Sequence, residues 1–141
     1  MIRKHHALCF LLLAAVLCET SAAQSDSKPA KQDVPAVDGA LGPCSLQLTI
    51  NGADGKPIYA ATVKVHIPYG FGGFHKLDLE GGTNSEGKVK FTGLPTRVRR
   101  PPLEFEASKD QLFATITYDP AVECRAIHSV VLDKPKPAED K

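Results

Sequence analysis

The feature that most constrains this chain is a two-residue rhythm that keeps returning. Apolar and polar residues alternate in seven short segments, the spacing of a strand that buries one face. In residues 45–50, Leu46, Leu48 and Ile50 share a side. In residues 61–67, Val63, Val65 and Ile67 point one way, and Lys64 and His66 the other. Residues 76–80 carry Leu77 and Leu79, and residues 88–92 and 103–107 alternate cleanly. Residues 112–118 and 125–132 complete the set. Between them stand turn formers: residues 51–57, residues 81–87 and Gly93-Leu94-Pro95. Asn, Asp and Gly tolerate positive φ, and Pro stops a ladder. No stretch combines helical period with caps. The pattern predicts an all-β fold, a seven-stranded Greek-key β-sandwich.

The strands do not reach either end of the chain. Met1 to His6 is basic, residues 7–18 form an uncharged apolar run, and Ser21-Ala22-Ala23 are small. That order is a secretory signal, and a run this short falls below the ~20 residues a membrane-spanning helix needs. Cleavage is expected after Ala23, with Ala22 as the alternative. Cys18 stands where a bacterial lipid-attachment cysteine would stand. Leu17 before it is bulky where a small residue is required, so release is preferred over lipidation. Residues 24–43 read as a flexible leader, residues 44–133 as the sandwich domain, and residues 134–141 as a charged, Pro-containing tail.

Loss of residues 1–23 removes Arg3, Lys4 and Glu19 from a chain of net charge +1, leaving it formally neutral. Neutrality argues against nucleic acid or a membrane surface as the main partner, and no transmembrane segment is expected in the mature chain. Cys9 and Cys18 leave with the signal, so Cys44 and Cys124 remain. In an oxidising compartment two cysteines favour a disulfide over two buried thiols. Closing a loop of about 80 residues corresponds to ~4 kcal/mol in the chain-entropy account.

Residues 46–95 also carry a recognisable series: Leu48-Thr49-Ile50, Asp54-Gly55-Lys56-Pro57-Ile58, Ala60-Ala61-Thr62-Val63-Lys64-Val65, Thr83-Asn84-Ser85-Glu86-Gly87-Lys88-Val89-Lys90-Phe91 and Gly93-Leu94-Pro95. The series resembles the carboxypeptidase regulatory-domain-like family, a transthyretin- or prealbumin-like sandwich within the wider transthyretin/Ig-like class. The second half departs from it, with Arg97-Val98-Arg99-Arg100-Pro101-Pro102 where the family carries a Gly-x-Tyr start to a strand. The resemblance implies an accessory or interaction module of an exported protein. Its motifs shape turns and an inner face, and carry no chemistry. The hydroxyisourate hydrolase branch of transthyretin-like proteins uses a first-strand His and a Tyr-Arg-Gly-Ser ending, and neither is present here.

Catalytic or metal-binding patterns are not apparent. His66, His75 and His128 lack the His-x-His or His-x3-His spacing that places ligands on one face. No Gly-x-Ser-x-Gly elbow appears. Asp54 and Asn84-Ser85-Glu86 lack the dense oxygen spacing of a calcium loop. Two segments stand out instead. Residues 69–74 form a Gly-rich loop bearing Tyr69, Phe71 and Phe74, offering either contact rings or a cover for an open end of the sandwich. Arg97, Arg99 and Arg100 form the one basic cluster, stiffened by Pro101-Pro102. The sequence therefore predicts a non-enzymatic exported module without cofactor or metal. It would bind a protein or envelope-surface partner through Tyr69, Phe71, Phe74, Arg97, Arg99 and Arg100. The alternatives are a small-ligand- or metal-binding periplasmic protein and a transthyretin-like hydrolase.

Overall fold

The computed structural model describes residues 33–135. The signal sequence expected over 1–23, the first part of the leader and residues 136–141 lie outside the described residues. All seven expected strands are present: β2 (Cys44–Gly52), β3 (Thr62–Tyr69), β4 (His75–Gly82), β5 (Lys88–Leu94), β6 (Leu103–Lys109), β7 (Leu112–Tyr118) and β8 (Arg125–Leu132). Two short strands join them, β1 (Ala36–Asp38) and β9 (Lys134–Pro135), and a single 3-10 turn spans Phe71–Gly73. The strands form two sheets, in the orders β1-β5-β2-β8 and β4-β3-β6-β7-β9. Chain neighbours β2 and β3, β4 and β5, and β7 and β8 lie in different sheets, so the connections cross between layers in the Greek-key manner. The all-β sandwich expected from the alternation is the fold observed.

The alternation works as the two-residue period requires. Leu46, Leu48 and Ile50 of β2 and Val63, Val65 and Ile67 of β3 are buried between the sheets, together with Val89, Phe91, Leu103 and Phe105. Each such side chain contributes about 1.5–3 kcal/mol on burial. Phe91 crosses from one sheet to meet Phe105 of the other at 5.2 Å between ring centroids, and Phe105 meets Tyr118 at 6.2 Å, both edge to face. Tyr118 keeps its polar end satisfied by donating to the Cys124 carbonyl at 3.0 Å. Burial, followed by the nearby Glu123 and Asp119 carboxylates, raises its pKa above the ordinary 10.0.

The leader joins the sandwich earlier than the sequence suggested, so its expected limit at residue 43 is corrected. β1 pairs in parallel with β5, matching Val37 with Phe91. Lys90 N–H donates to the Pro35 carbonyl at 2.8 Å, Gly39 N–H to Thr92 at 2.9 Å and Leu41 N–H to Gly93 at 2.7 Å. The physical cause is the edge of β5, whose backbone groups would otherwise lack partners. Val37 adds a half-buried side chain seated on Gly81, where a Cβ would come within 2.9 Å of it. Three residues without a period leave no sequence signal. Lys134 and Pro135, the first residues of the expected tail, pair as β9 with Phe113 and Leu112 of β7.

Cys44 and Cys124 form a disulfide, with Cα atoms 4.6 Å apart. They sit where the parallel neighbours β2 and β8 begin, so the bridge fastens two adjacent strands at the same end.

Candidate functional site

The five-stranded sheet turns its outer face to solvent, and alternation puts charge there. Lys64 and His66 of β3, Asp78 and Glu80 of β4, and Glu104 and Glu106 of β6 floor a groove of about 860 Å³. Register brings them together: Lys64 stands opposite both Glu80 and Glu106, and His66 opposite Asp78. Lys64 Nζ lies 3.1 Å from Glu80, and His66 Nδ1 lies 2.5 Å from Asp78. Both pairs are well exposed, so each orients side chains more than it stabilises the fold. Among the described residues Glu104 and Glu106 form no ion pair, and neither does Arg100. Arg100, Pro101 and Pro102 stand along the groove as a wall, ahead of buried Leu103.

The aromatic loop lies at the Pro68 end of this groove. Tyr69 ends β3 and stacks on His75, the first residue of β4, at 5.4 Å between rings. Between them the backbone doubles back through Gly70, Gly72 and Gly73, all at φ near +70°. A Cβ on Gly72 would fall 2.4 Å from the Phe74 ring, so a side chain there would displace that ring. Phe71 is 94% exposed and Phe74 82%. Neither ring covers the end of the sandwich, and both present their faces to solvent.

The structure brings most of the sequence-predicted residues into one neighbourhood. A Cβ on Gly73 would lie 3.6 Å from Cδ of Arg99 and 3.8 Å from Pro68, so the arginine arm rests beside the aromatic loop. Arg100 belongs to the groove wall. Val98 packs half-buried against the core and anchors the arm. Arg97 is exposed on the same turn, with no contact that ties it to loop or groove. The six charged floor residues are the part that sequence reading did not assemble. Outward parity marked Lys64 and His66, but the adjacency of β4 and β6 to β3 is a matter of topology.

The histidines do not converge. His66 faces Asp78, His75 stacks on Tyr69, and His128 lies 3.9 Å from Glu123. Among the described residues no group of three or more His, Cys, Asp or Glu is placed to hold a metal ion. No described helix is long and apolar enough to cross a membrane.

No family model matches the chain, and no curated protein does. The likeness of residues 46–95 to the carboxypeptidase regulatory-domain-like family therefore stands on its residues alone. Solved structures similar to the chain do exist. One is catechol 1,2-dioxygenase from Pseudomonas arvilla C-1, at 18% identity and a TM-score of 0.44, over 69% of this chain and 48% of that one. Another is hydroxyquinol 1,2-dioxygenase from Pseudomonas putida DLL-E4, at 12% identity and 0.45, over 72% and 62%. A third is transthyretin from Sparus aurata, at 15% identity and 0.39, over 64% and 89%. The chain spans about half to three-fifths of these two dioxygenases.

The expectation of a non-enzymatic chain is corrected by these comparisons. Enzymes stand among the structures that share its sandwich plan, so the want of a sequence motif gives no ground for ruling out catalysis. At these identities and TM-scores the likenesses carry no argument for any particular activity.

Proposed function

We propose that the chain is an exported binding module that takes a polypeptide segment of a protein or envelope-surface partner along the outer groove, with the aromatic loop as the first contact. The observation that carries this reading is the exposure of Phe71 and Phe74 beside the Arg99 arm. Rings left in water forgo the ~1.5–3 kcal/mol that burial of a large apolar side chain supplies. Aromatics and arginine are also the residues that most often anchor contacts. The groove supplies both signs of charge: the carboxylates of Glu104 and Glu106 on its floor and the Arg100 guanidinium on its wall, none of them in an ion pair among the described residues. An extended segment with mixed charges suits such a floor better than a small apolar ligand does. Export is supported by the signal-like residues 1–23 and by the disulfide.

The test uses cross-linking of the full exported chain in its own cells, with wild type and a Phe71→Ala/Phe74→Ala variant side by side. The expected result is one dominant partner whose recovery falls about tenfold or more in the variant, as for loss of hot-spot aromatics. The variant's melting temperature should match wild type. Equal recovery from both proteins would remove the loop from the interface and overturn the reading.

A further inference from the structure

Two open sheets have four edges, and this molecule treats them unequally. β1 is three residues long. β9 is two residues long and ends in Pro135. β4 carries Lys76, Asp78 and Glu80 outward and closes on two glycines. Short length, proline and charge are the usual guards against edge-to-edge pairing. β8 has none of them. It runs eight residues, Arg125–Leu132, without Pro or Gly, and carries no Lys, Arg, Asp or Glu between its first residue and Asp133. Its outer face exposes Ile127 at 72% and Val131 at 46%. Among the described residues it pairs with β2 alone.

The ladder with β2 fixes which backbone groups are free. Ser45 stands opposite Arg125 in parallel register, and Ser45 N–H donates to the Cys124 carbonyl at 2.8 Å. In a parallel ladder this turns the even-numbered residues of β8 toward β2. The N–H and C=O groups of Arg125, Ile127, Ser129 and Val131 therefore point to the open side.

We propose that this edge pairs with β8 of a second copy of the chain, antiparallel and centred on Ser129. The side chains select the partner and the register together. A two-fold axis at Ser129 sets Ile127 opposite Val131 of the second copy, and Val131 opposite its Ile127. Carried one residue past the end of β8, the same register sets Arg125 opposite Asp133 of the second copy, and the reverse. Every apolar residue on the outer face then meets an apolar one, and each charge meets its opposite. Ile127, Ser129 and Val131 carry the free backbone groups, so their pairs exchange both hydrogen bonds. Moving the axis to His128 sets Ile127 against Ser129 and Arg125 against Val131, which forfeits both matches. A one-residue slip sets inward residues against outward ones. Such an isologous interface closes on itself, joining two four-stranded sheets into one continuous sheet and leaving both outer grooves open.

Sedimentation of the oxidised full chain from about 1 µM to about 1 mM, a span that covers modest self-affinities, tests the proposal. Wild type should dimerise within it. Arg125→Asp alone sets two carboxylates opposite each other twice per dimer, and should raise the dissociation constant about tenfold. Asp133→Arg alone should do the same. The Arg125→Asp/Asp133→Arg double variant should restore wild-type affinity to within about threefold. Both positions are exposed, so melting curves should stay unchanged. Amide exchange at Ile127, Ser129 and Val131 should be fast in dilute monomer and slow in the dimer. A chain that stays monomeric throughout, or a dimer indifferent to the charge swaps, overturns the proposal. So does a monomer in which those amides are already protected, because another segment of the same chain would then cover the edge.

Discussion

Residues 83–87 and residues 69–74 are both short glycine-bearing links beside β4, and the molecule uses them in opposite ways. The first is wired into the fold. Thr83 and Asn84 are buried. The Thr83 hydroxyl accepts from Ala61 N–H at 2.9 Å and donates to the Ile58 carbonyl at 2.6 Å. Asn84 Oδ1 accepts from the N–H groups of Glu86 and Lys88. Gly87 returns its carbonyl to Ile50 N–H at 2.7 Å. The second link holds itself with one backbone bond across the turn, Gly73 N–H to the Gly70 carbonyl at 3.2 Å, and leaves two phenyl rings in water. Glycine marks both in the sequence. The polar neighbours differ: a Thr-Asn pair that can satisfy buried backbone belongs to structure, and rings with nothing to cover are available to a partner.

Matched substitutions should pull the two links apart. Gly87 has φ +71, and an added Cβ would lie 2.4 Å from the Ile50 carbonyl oxygen, a backbone atom that cannot step aside. Gly87→Ala should cost about 3 kcal/mol, combining a left-handed backbone with a clash, read as a drop in urea midpoint. Thr83→Val strands the buried Ala61 N–H and the part-buried Ile58 carbonyl and should cost about 2 kcal/mol in the same titration. Gly72→Ala faces the same 2.4 Å approach, but to the free Phe74 ring. The ring can swing away, so about 1 kcal/mol of backbone strain is all that should appear. If Gly72→Ala and Gly87→Ala cost the same, the contrast between the links fails.

Tyr118 supplies a case of intermediate size. Its raised pKa means that the folded state keeps a proton which the unfolded chain releases first. Stability should hold below the ordinary pKa of 10.0 and fall as pH rises through that value toward the folded one. Tyr118→Phe should flatten that fall in urea titrations across the alkaline range, while losing about 1 kcal/mol near neutrality with the hydrogen bond to Cys124. Smallest of all, Phe71→Ala and Phe74→Ala should move stability by less than about 0.5 kcal/mol, checked by thermal melts.

What the sequence made legible follows from the range over which each signal acts. Alternation is local, so β2 to β8 could each be read from their own residues, and the inward set Leu46, Leu48, Val63 and Val65 with them. β1 could not. Ala36-Val37-Asp38 is too short to show a period, and its strand exists because β5 has an edge to satisfy. The aromatic loop and the arginine arm could be singled out by composition, whereas their closeness rests on Arg99 lying beside Gly73. The groove was least visible. Glu104 and Glu106 look like ordinary outward residues of β6 until register sets Glu106 opposite Lys64 and both line one groove with His66.

The bridge between Cys44 and Cys124 has one more consequence, for a chain that meets proteases. Everything from β2 through β7 lies inside a single covalent ring. A cut within that ring, for instance at the exposed Arg97-to-Arg100 arm, opens the backbone without freeing a fragment. The nicked domain gains only the water of hydrolysis and keeps both halves of its core until the disulfide is reduced, so damage to the most exposed link should change a reducing gel and leave a non-reducing one unaltered.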